Sequence, residues 1–393
     1  MGGGGQTATF ISTLETHAQW RSNRPMTGPK LTPLAASLPE TVPFVGPETQ
    51  ERLRGRPFTA RLGANESGFG PSPKAIAAMA AAASEIWMYG DPELHDLREA
   101  LAKHHTCRTE NIAVGEGIDG LLGYLTRLII GPGDAVVTSN GAYPTFNFHV
   151  AGFGGTLHKA AFKAGHEDPD ALLNFARQTR AKLIYLSNPN NPMGSHHPAA
   201  TIEAMIDALP NDCLLILDEA YIDLAPAGTE PAISPDDPRV IRMRTFSKGY
   251  GMAGLRVGYA IGAMPLIKAF NKVRNHFGVG RLAQAGAIAA LADQEHLAWV
   301  RDQVSIARES FGQVAREYGL APLSSATNFL TMDCRSDGDF ARRVLTELLA
   351  RDIFVRMPGV APLDRCIRVS LGGAADLAAF SDALPAALKA ARG

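Results

Sequence analysis

Between residues 70 and 275, short apolar runs alternate with helix-period stretches, and that alternation leaves few folds open. Ile112-Ala113-Val114, Ala135-Val136-Val137-Thr138, Leu183-Ile184-Tyr185-Leu186, Leu214-Leu215-Ile216-Leu217 and Val240-Ile241-Arg242-Met243 all have strand length. The first leads into Gly115-Glu116-Gly117 and a helical pattern over 119–130. Runs this apolar, separated by helices, predict a mostly parallel sheet buried on both faces. Val257-Gly258-Tyr259-Ala260-Ile261 follows after a link too short for a helical crossover, so that strand is expected to be antiparallel.

After about residue 285 the pattern changes. A strand over 328–332 precedes a helix over 339–351 with Phe340, Val344, Leu345 and Leu348 on one face. Strands over 353–356 and 367–370 follow, then a helix with Leu377, Phe380, Leu384 and Leu388 on one stripe. This predicts a smaller α+β domain. Residues 1–60 are punctuated by Pro25, Pro29, Pro33, Pro39, Pro43, Pro47 and Pro57, so long regular elements are not expected there. The segment reads as an arm that packs on a partner or as a disordered tail. The expected division is an arm over 1–60, a large domain over 61–280 and a small domain over 281–393 that takes in part of the N-terminal segment.

With 393 residues, 46% of them hydrophobic, the chain can bury more than one ordinary core. Lys and Arg total 38 against 39 Asp and Glu, which argues against a nucleic-acid or membrane surface held by bulk charge. Cys107, Cys213, Cys334 and Cys366 form no CxxC pair, so neither a disulfide framework nor a metal site is expected. No apolar run is long enough to span a bilayer, and the Gly-rich residues 1–8 do not read as a secretory signal. The cytoplasm is the expected location.

Four strand ends carry chemistry. In Thr245-Phe246-Ser247-Lys248, followed by a Gly-rich turn and Arg256, a lysine held away from bulk water can lose its proton and attack a carbonyl. The Thr245 and Ser247 hydroxyls and the Arg256 fork suit a phosphate dianion. Asp218 directly follows four apolar residues, where a carboxylate needs a partner such as a protonated pyridine nitrogen. A turn-capping Asp is the other reading, and Glu219 is the neighbouring alternative. Tyr221 lies three residues on and can reach a ring's phenolic oxygen, as can Asn191 in the turn Asn188-Pro189-Asn190-Asn191-Pro192. Gly115-Glu116-Gly117-Ile118-Asp119-Gly120 lets backbone amides approach a phosphate at a helix N-terminus, with neither dinucleotide nor Walker spacing. Tyr143 follows the next strand and is either a ring-stacking group or a core aromatic.

Together these segments resemble the pyridoxal-phosphate aminotransferases of fold type I, class I/II, and within them the histidinol-phosphate aminotransferase branch. The resemblance runs from about Arg61 to the C-terminus and is carried by Asn65-Glu66 with Gly70-Pro71-Ser72-Pro73, by 187–194, by Asp218-Glu219-Ala220-Tyr221, and by Ser247-Lys248 with Ala253-Gly254-Leu255-Arg256-Val257-Gly258. It implies an α/β large domain built on a mostly parallel seven-stranded sheet. It implies that Lys248 carries pyridoxal 5′-phosphate and shuttles a proton, with Asp218 on the pyridinium and Asn191 and Tyr221 on the phenolic oxygen. Tyr143 would stack on the ring. Gly117, the amides of Ile118 and Asp119, Thr245, Ser247 and Arg256 would cradle the phosphate. Arg368 would clamp the substrate carboxylate or its equivalent, and Arg356 matches a second substrate arginine. Tyr89 matches a tyrosine that reaches the neighbouring subunit's cofactor, which implies a homodimer with shared sites.

The implied activity is transfer of an amino group from a small-molecule donor, such as histidinol phosphate or an aromatic amino acid, to a 2-oxo acid such as 2-oxoglutarate. A lyase or decarboxylase of the threonine-phosphate decarboxylase type would use the same cofactor residues. A non-enzymatic regulator of aminotransferase type would need a basic N-terminal domain, which the Pro-rich 1–60 segment does not resemble. The chain departs from the branch at Ser67-Gly68-Phe69, where Asn-Pro-Tyr/Leu is usual, and at Met88-Tyr89-Gly90, where Arg-Tyr-Pro is usual. Met193 stands where Thr is common. The first two changes remove a hydroxyl and an arginine that could meet a substrate phosphate, so they weigh against histidinol phosphate while leaving aminotransfer intact.

Overall fold

The apolar runs assemble into one seven-stranded sheet. The computed structural model describes residues 28–40 and 45–393. Its strands are β1 (Ala60–Arg61), β2 (Ile112–Gly115), β3 (Ala135–Ser139), β4 (Thr156–Ala160), β5 (Leu183–Ser187), β6 (Leu214–Asp218), β7 (Val240–Thr245), β8 (Gly258–Gly262), β9 (Ala321–Pro322), β10 (Phe329–Asp333), β11 (Ile353–Phe354) and β12 (Cys366–Ser370). The large sheet runs β2-β8-β7-β6-β5-β3-β4. The neighbours from β7 through β6, β5 and β3 to β4 are parallel, while β8 is antiparallel to both β7 and β2. The short link before β8 therefore acts as the sequence predicts. Every residue of β5, β6, β7 and β8 is buried, because helices cover both faces.

The parallel strands end on one edge, so Gly115, Ser139, Ser187, Asp218 and Thr245 come together there. Reversal of β8 brings its first residue to the same edge, with Gly258 paired to Gly115 on one side and Thr245 on the other. Ligands in open α/β sheets bind outside this carboxyl edge.

The C-terminal residues form a second core. β12, β10 and β9 make an antiparallel sheet, and β11 pairs in parallel with β1. Helices Gln294–Glu317, Gly338–Ala350 and Ala374–Arg392 pack Phe311, Val344, Leu348, Phe380 and Leu384 together. Leu345 and Leu377, expected on the buried stripes, are only partly buried at the margin.

The chain divides into two units, residues 1–39 and 40–393. Of the first, the described residues hold one helix, Pro33–Ser37. Residues 1–27 and 41–44, with the Gly-rich start and two of the arm's prolines, lie outside the described residues. Irregularity is not the whole story of the arm: Pro47 opens an eight-residue helix, Pro47–Arg54, that closes on Gly55. A proline at the first helical position loses no hydrogen bond, since that N–H would be unpaired anyway.

One feature of the large sheet runs against its apolar rule. Arg242 and Arg244, on one face of β7, are buried. Glu219, directly after β6, accepts from Arg242 Nε and Nη2 at 3.0 Å each and from Arg244 Nε at 2.8 Å. Glu230 accepts from Arg242 Nη2 at 2.6 Å and also from Arg244. Removing one member of such a buried group strands the others without a counter-charge. Glu219→Gln is expected to destabilise the fold by about 3–5 kcal/mol, read as a lower urea midpoint at unchanged m-value.

Candidate active site

Lys248 stands just past β7, at the carboxyl edge. Its Nζ donates to the backbone carbonyl of Asn65 at 2.9 Å and lies 5.7 Å from the centre of the Tyr221 ring. Burial pulls this amine down to about 8; Arg368 and Arg256 push the same way and Glu66 opposes them. A lysine so placed is partly neutral near pH 8 and able to attack a carbonyl.

Asp218 closes β6. Tyr185 donates its hydroxyl to Asp218 Oδ2 at 2.6 Å, and the Ala220 N–H donates to Oδ1 at 2.9 Å. Burial pushes the carboxyl up to about 6, and these two donors hold it from rising further. The turn-capping and ring-partner readings of Asp218 are thus compatible: one oxygen caps the turn, and the group stays a buried anion. Tyr221 is buried, with its hydroxyl pushed up to about 12 by burial. Tyr143 donates to Asp119 at 3.1 and 3.2 Å, and burial and the Asp119 charge raise its pKa.

The residues expected to cradle a phosphate lie side by side. Helix Gly117–Ile129 starts two residues earlier than the sequence pattern predicts, so Ile118 and Asp119 fall in its first turn. Ser247 N–H donates to Thr245 Oγ1 at 3.0 Å, and Thr245 Oγ1 donates to Ser247 Oγ at 2.9 Å. Arg256 Nη1 lies 3.4 Å from Ser247 Oγ, and its Nη2 is 3.9 Å from Asp119. Two glycines are required here. Gly117 has φ 74°, and a Cβ on it would run into the Arg256 guanidinium. A Cβ on Gly258 would sit 2.6 Å from the Gly117 carbonyl carbon. A cradle of amides, hydroxyls and one guanidinium that a single methyl would fill suits a phosphate group.

Arg368, on β12, reaches in from the second core. Its Nη1 donates to Asn191 Oδ1 at 2.6 Å and its Nη2 to the Gly63 carbonyl at 3.0 Å. Its buried Nε has no hydrogen-bond partner among the described residues, which suits an arriving anion. Burial and the nearby Arg356 hold Arg368 down at about 10. The backbones of Arg356 and Arg368 pair through an isolated antiparallel bridge, with N–O distances of 2.6 and 3.2 Å, while Arg356 Nη2 donates to the Val45 carbonyl at 2.6 Å. Tyr89 does not join this group: it is 78% exposed and packs on Phe277 at 4.7 Å.

A family model of the aminotransferases of class I and II matches residues 59–384. The chain belongs to that family. It is 33% identical over 350 residues to a histidinol-phosphate aminotransferase of Moorella thermoacetica, an alignment covering 88% of this chain and 90% of the relative. Histidinol-phosphate aminotransferase 1 of Mesorhizobium japonicum is 33% identical over 332 residues, covering 83% and 89%. Among solved structures, the histidinol-phosphate aminotransferase of Sinorhizobium meliloti in complex with pyridoxal-5′-phosphate superposes with a TM-score of 0.89 at 49% identity, over 93% of this chain and 99% of that one. The chain is therefore a transaminase, with pyridoxal phosphate as its cofactor and amino and keto acids as the class of its substrates. The α/β fold read from the sequence is that of fold type I.

Sequence reasoning missed Tyr185, read only as part of an apolar strand, and Glu167, buried and accepting from Ser139, Ser187 and Asn190. A tyrosine two residues before the end of a buried strand was the available signal, since a buried hydroxyl needs a partner. Tyr185→Phe is expected to raise the Asp218 pKa and loosen cofactor binding, with the loss growing as pH falls towards about 6; cofactor titration of the apoprotein between pH 6 and 8 measures it. The neutral fraction of Lys248 rises with pH through about 8. The rate of covalent cofactor uptake should therefore climb to that pH and level off, where an ordinary lysine would keep gaining up to about pH 10.4.

Proposed function

We propose that the chain transfers the amino group of histidinol phosphate to a 2-oxo acid, 2-oxoglutarate being the expected acceptor. The observation that carries this reading is the Lys248 amine set at the carboxyl edge with Asp218, Tyr221 and Arg368 around it. Pyridoxal phosphate supplies the electron sink. Lys248 would hold the cofactor covalently and is the group placed to move the proton of the donor's α-carbon. Asp218, with Tyr185 donating to it, would keep the ring nitrogen protonated. Asn191 has its carbonyl oxygen engaged by Arg368, which leaves its NH2 to serve the phenolic oxygen beside Tyr221. Tyr143 would flank the ring. Gly117, the Ile118 and Asp119 amides, Thr245, Ser247 and Arg256 would bind the phosphate.

The donor assignment is supported by the adjacent Arg356 and Arg368, which favour a substrate bearing strong negative charge, and by the names of the relatives. Phe69 and Gly90 do not exclude it, because Arg368, whose buried Nε has no partner among the described residues, can meet the negative charge. The acceptor carboxylates fit the same pair.

A homodimer with shared sites follows from the same reading. Ile86, Trp87, Tyr89 and Phe277 form an exposed apolar group, which a second copy would cover. Tyr89 of the partner subunit would then reach the cofactor phosphate. The division into an arm over 1–60, a large cofactor-binding domain over 61–280 and a small domain over 281–393 belongs to this proposal. No helix among the described residues is long and apolar enough to cross a membrane. The four cysteines are unpaired, in keeping with a reducing, cytoplasmic location.

The test is a donor screen on the purified protein. Histidinol phosphate should convert the cofactor to its amine form, seen as loss of the visible band, and 2-oxoglutarate should restore the band. Aromatic amino acids converting it while histidinol phosphate does not would overturn the donor; no conversion by any amine would overturn the half-reaction. Lys248→Ala should abolish both the lysine-dependent band and turnover.

A further inference from the structure

Asn65 has none of the roles assigned above, yet it touches the groups that have them. It is buried, 2% exposed, and holds a left-handed backbone with φ 56°. Asparagine takes that conformation more readily than other residues with a side chain, and here its contacts fix it. Its carbonyl accepts from Lys248 Nζ at 2.9 Å and from Asn328 Nδ2 at 3.1 Å. Its N–H donates to Ser370 Oγ at 2.9 Å, and its side-chain Nδ2 donates to the Tyr221 hydroxyl at 3.0 Å. The Ser370 hydroxyl lies 3.5 Å from Asn65 Oδ1, which agrees with the amide facing Tyr221 through its nitrogen.

Resting on the cofactor reading above, we infer that Asn65 is a positioning residue that sets which way the Tyr221 hydroxyl and the Lys248 amine present their protons. A hydroxyl has one proton. By accepting from Asn65, the Tyr221 oxygen commits a lone pair to that side, and its proton turns to another acceptor, the phenolic oxygen of the cofactor. A neutral amine has two N–H bonds and one lone pair. With one N–H given to the Asn65 carbonyl, the Lys248 lone pair stays available for the proton it moves. The carbonyl contact comes from the backbone and the hydroxyl contact from the side chain, so substitution separates them.

Without the amide, Tyr221 is free to rotate and the phenolic oxygen loses part of its donor. That oxygen becomes more basic, so the lysine-bound cofactor keeps its proton to higher pH. Asn65→Gly removes the side chain, keeps the carbonyl and tolerates the positive φ. Asn65→Asp keeps the shape and, when ionised, cannot donate. In the holoenzyme, the pH midpoint of the visible band should move up by about half to one unit in both variants, the worth of one ordinary hydrogen bond. The kcat should fall about tenfold with KM for the donor changed less than about twofold, as for an interaction used in the transition state. Tyr221→Phe should shift the midpoint less in the Asn65→Gly background than in the native chain, since Asn65→Gly has already removed part of that donor. An unchanged midpoint, or shifts that simply add, would overturn the role of Asn65. If the native holoenzyme has no visible band that Lys248→Ala abolishes, the cofactor reading falls and the inference with it; a normal band with native titration in both variants sinks the inference alone.

Discussion

A charge placed at the end of a strand buried on both faces is the constraint on which the rest of this structure depends. Asp218 and Glu219 are consecutive, and neither can rely on water to stabilise its charge. Asp218 is held by the Tyr185 hydroxyl and the Ala220 amide, and Glu219 by Arg242 and Arg244. Successive residues leave a strand in opposite directions, so one carboxylate meets the Tyr185 hydroxyl and the next ties β6 to β7. The pair of arginines that interrupts the apolar pattern of β7 thereby fixes the peptide from which Asp218 projects.

The same economy appears at the candidate phosphate cradle. Strand β8 runs against its neighbours, and its first residue therefore arrives at the carboxyl edge beside Gly115 and Thr245. Only a glycine at 258 fits against the backbone of Gly117. The close approach lets helix Gly117–Ile129 aim its first amides at the place where Ser247 and Arg256 converge. From the second core, Arg368 reaches across to Asn191 and Ser370 meets Asn65, so residues distant in the chain close the site from the other side.

Much of this was legible in the residues. Strand-length apolar runs between helical patterns specify a parallel sheet because burial on both faces admits no polar alternation. Polar residues at the ends of those runs, Asp218, Ser247 and Lys248 among them, stand out for the same reason. Tyr185 was not legible: within an apolar run a tyrosine looks like packing, and only the neighbouring strand shows that its hydroxyl meets a carboxylate. Asn65 could be seen as part of a motif, but its contacts with Lys248 and Tyr221 span 183 and 156 positions. The prolines of the arm were read as breakers, whereas Pro47 starts a helix.

By itself the sequence determined the class of the fold and the polar groups at the strand ends, Lys248 among them, because those depend on local periodicity and on which side chain follows which strand. Tertiary structure alone decided the state of those groups: the lowered amine of Lys248, the raised carboxyl of Asp218 and the lowered guanidinium of Arg368. Burial and neighbouring charge set a proton's free energy, and both are properties of segments brought together by folding rather than of any one segment.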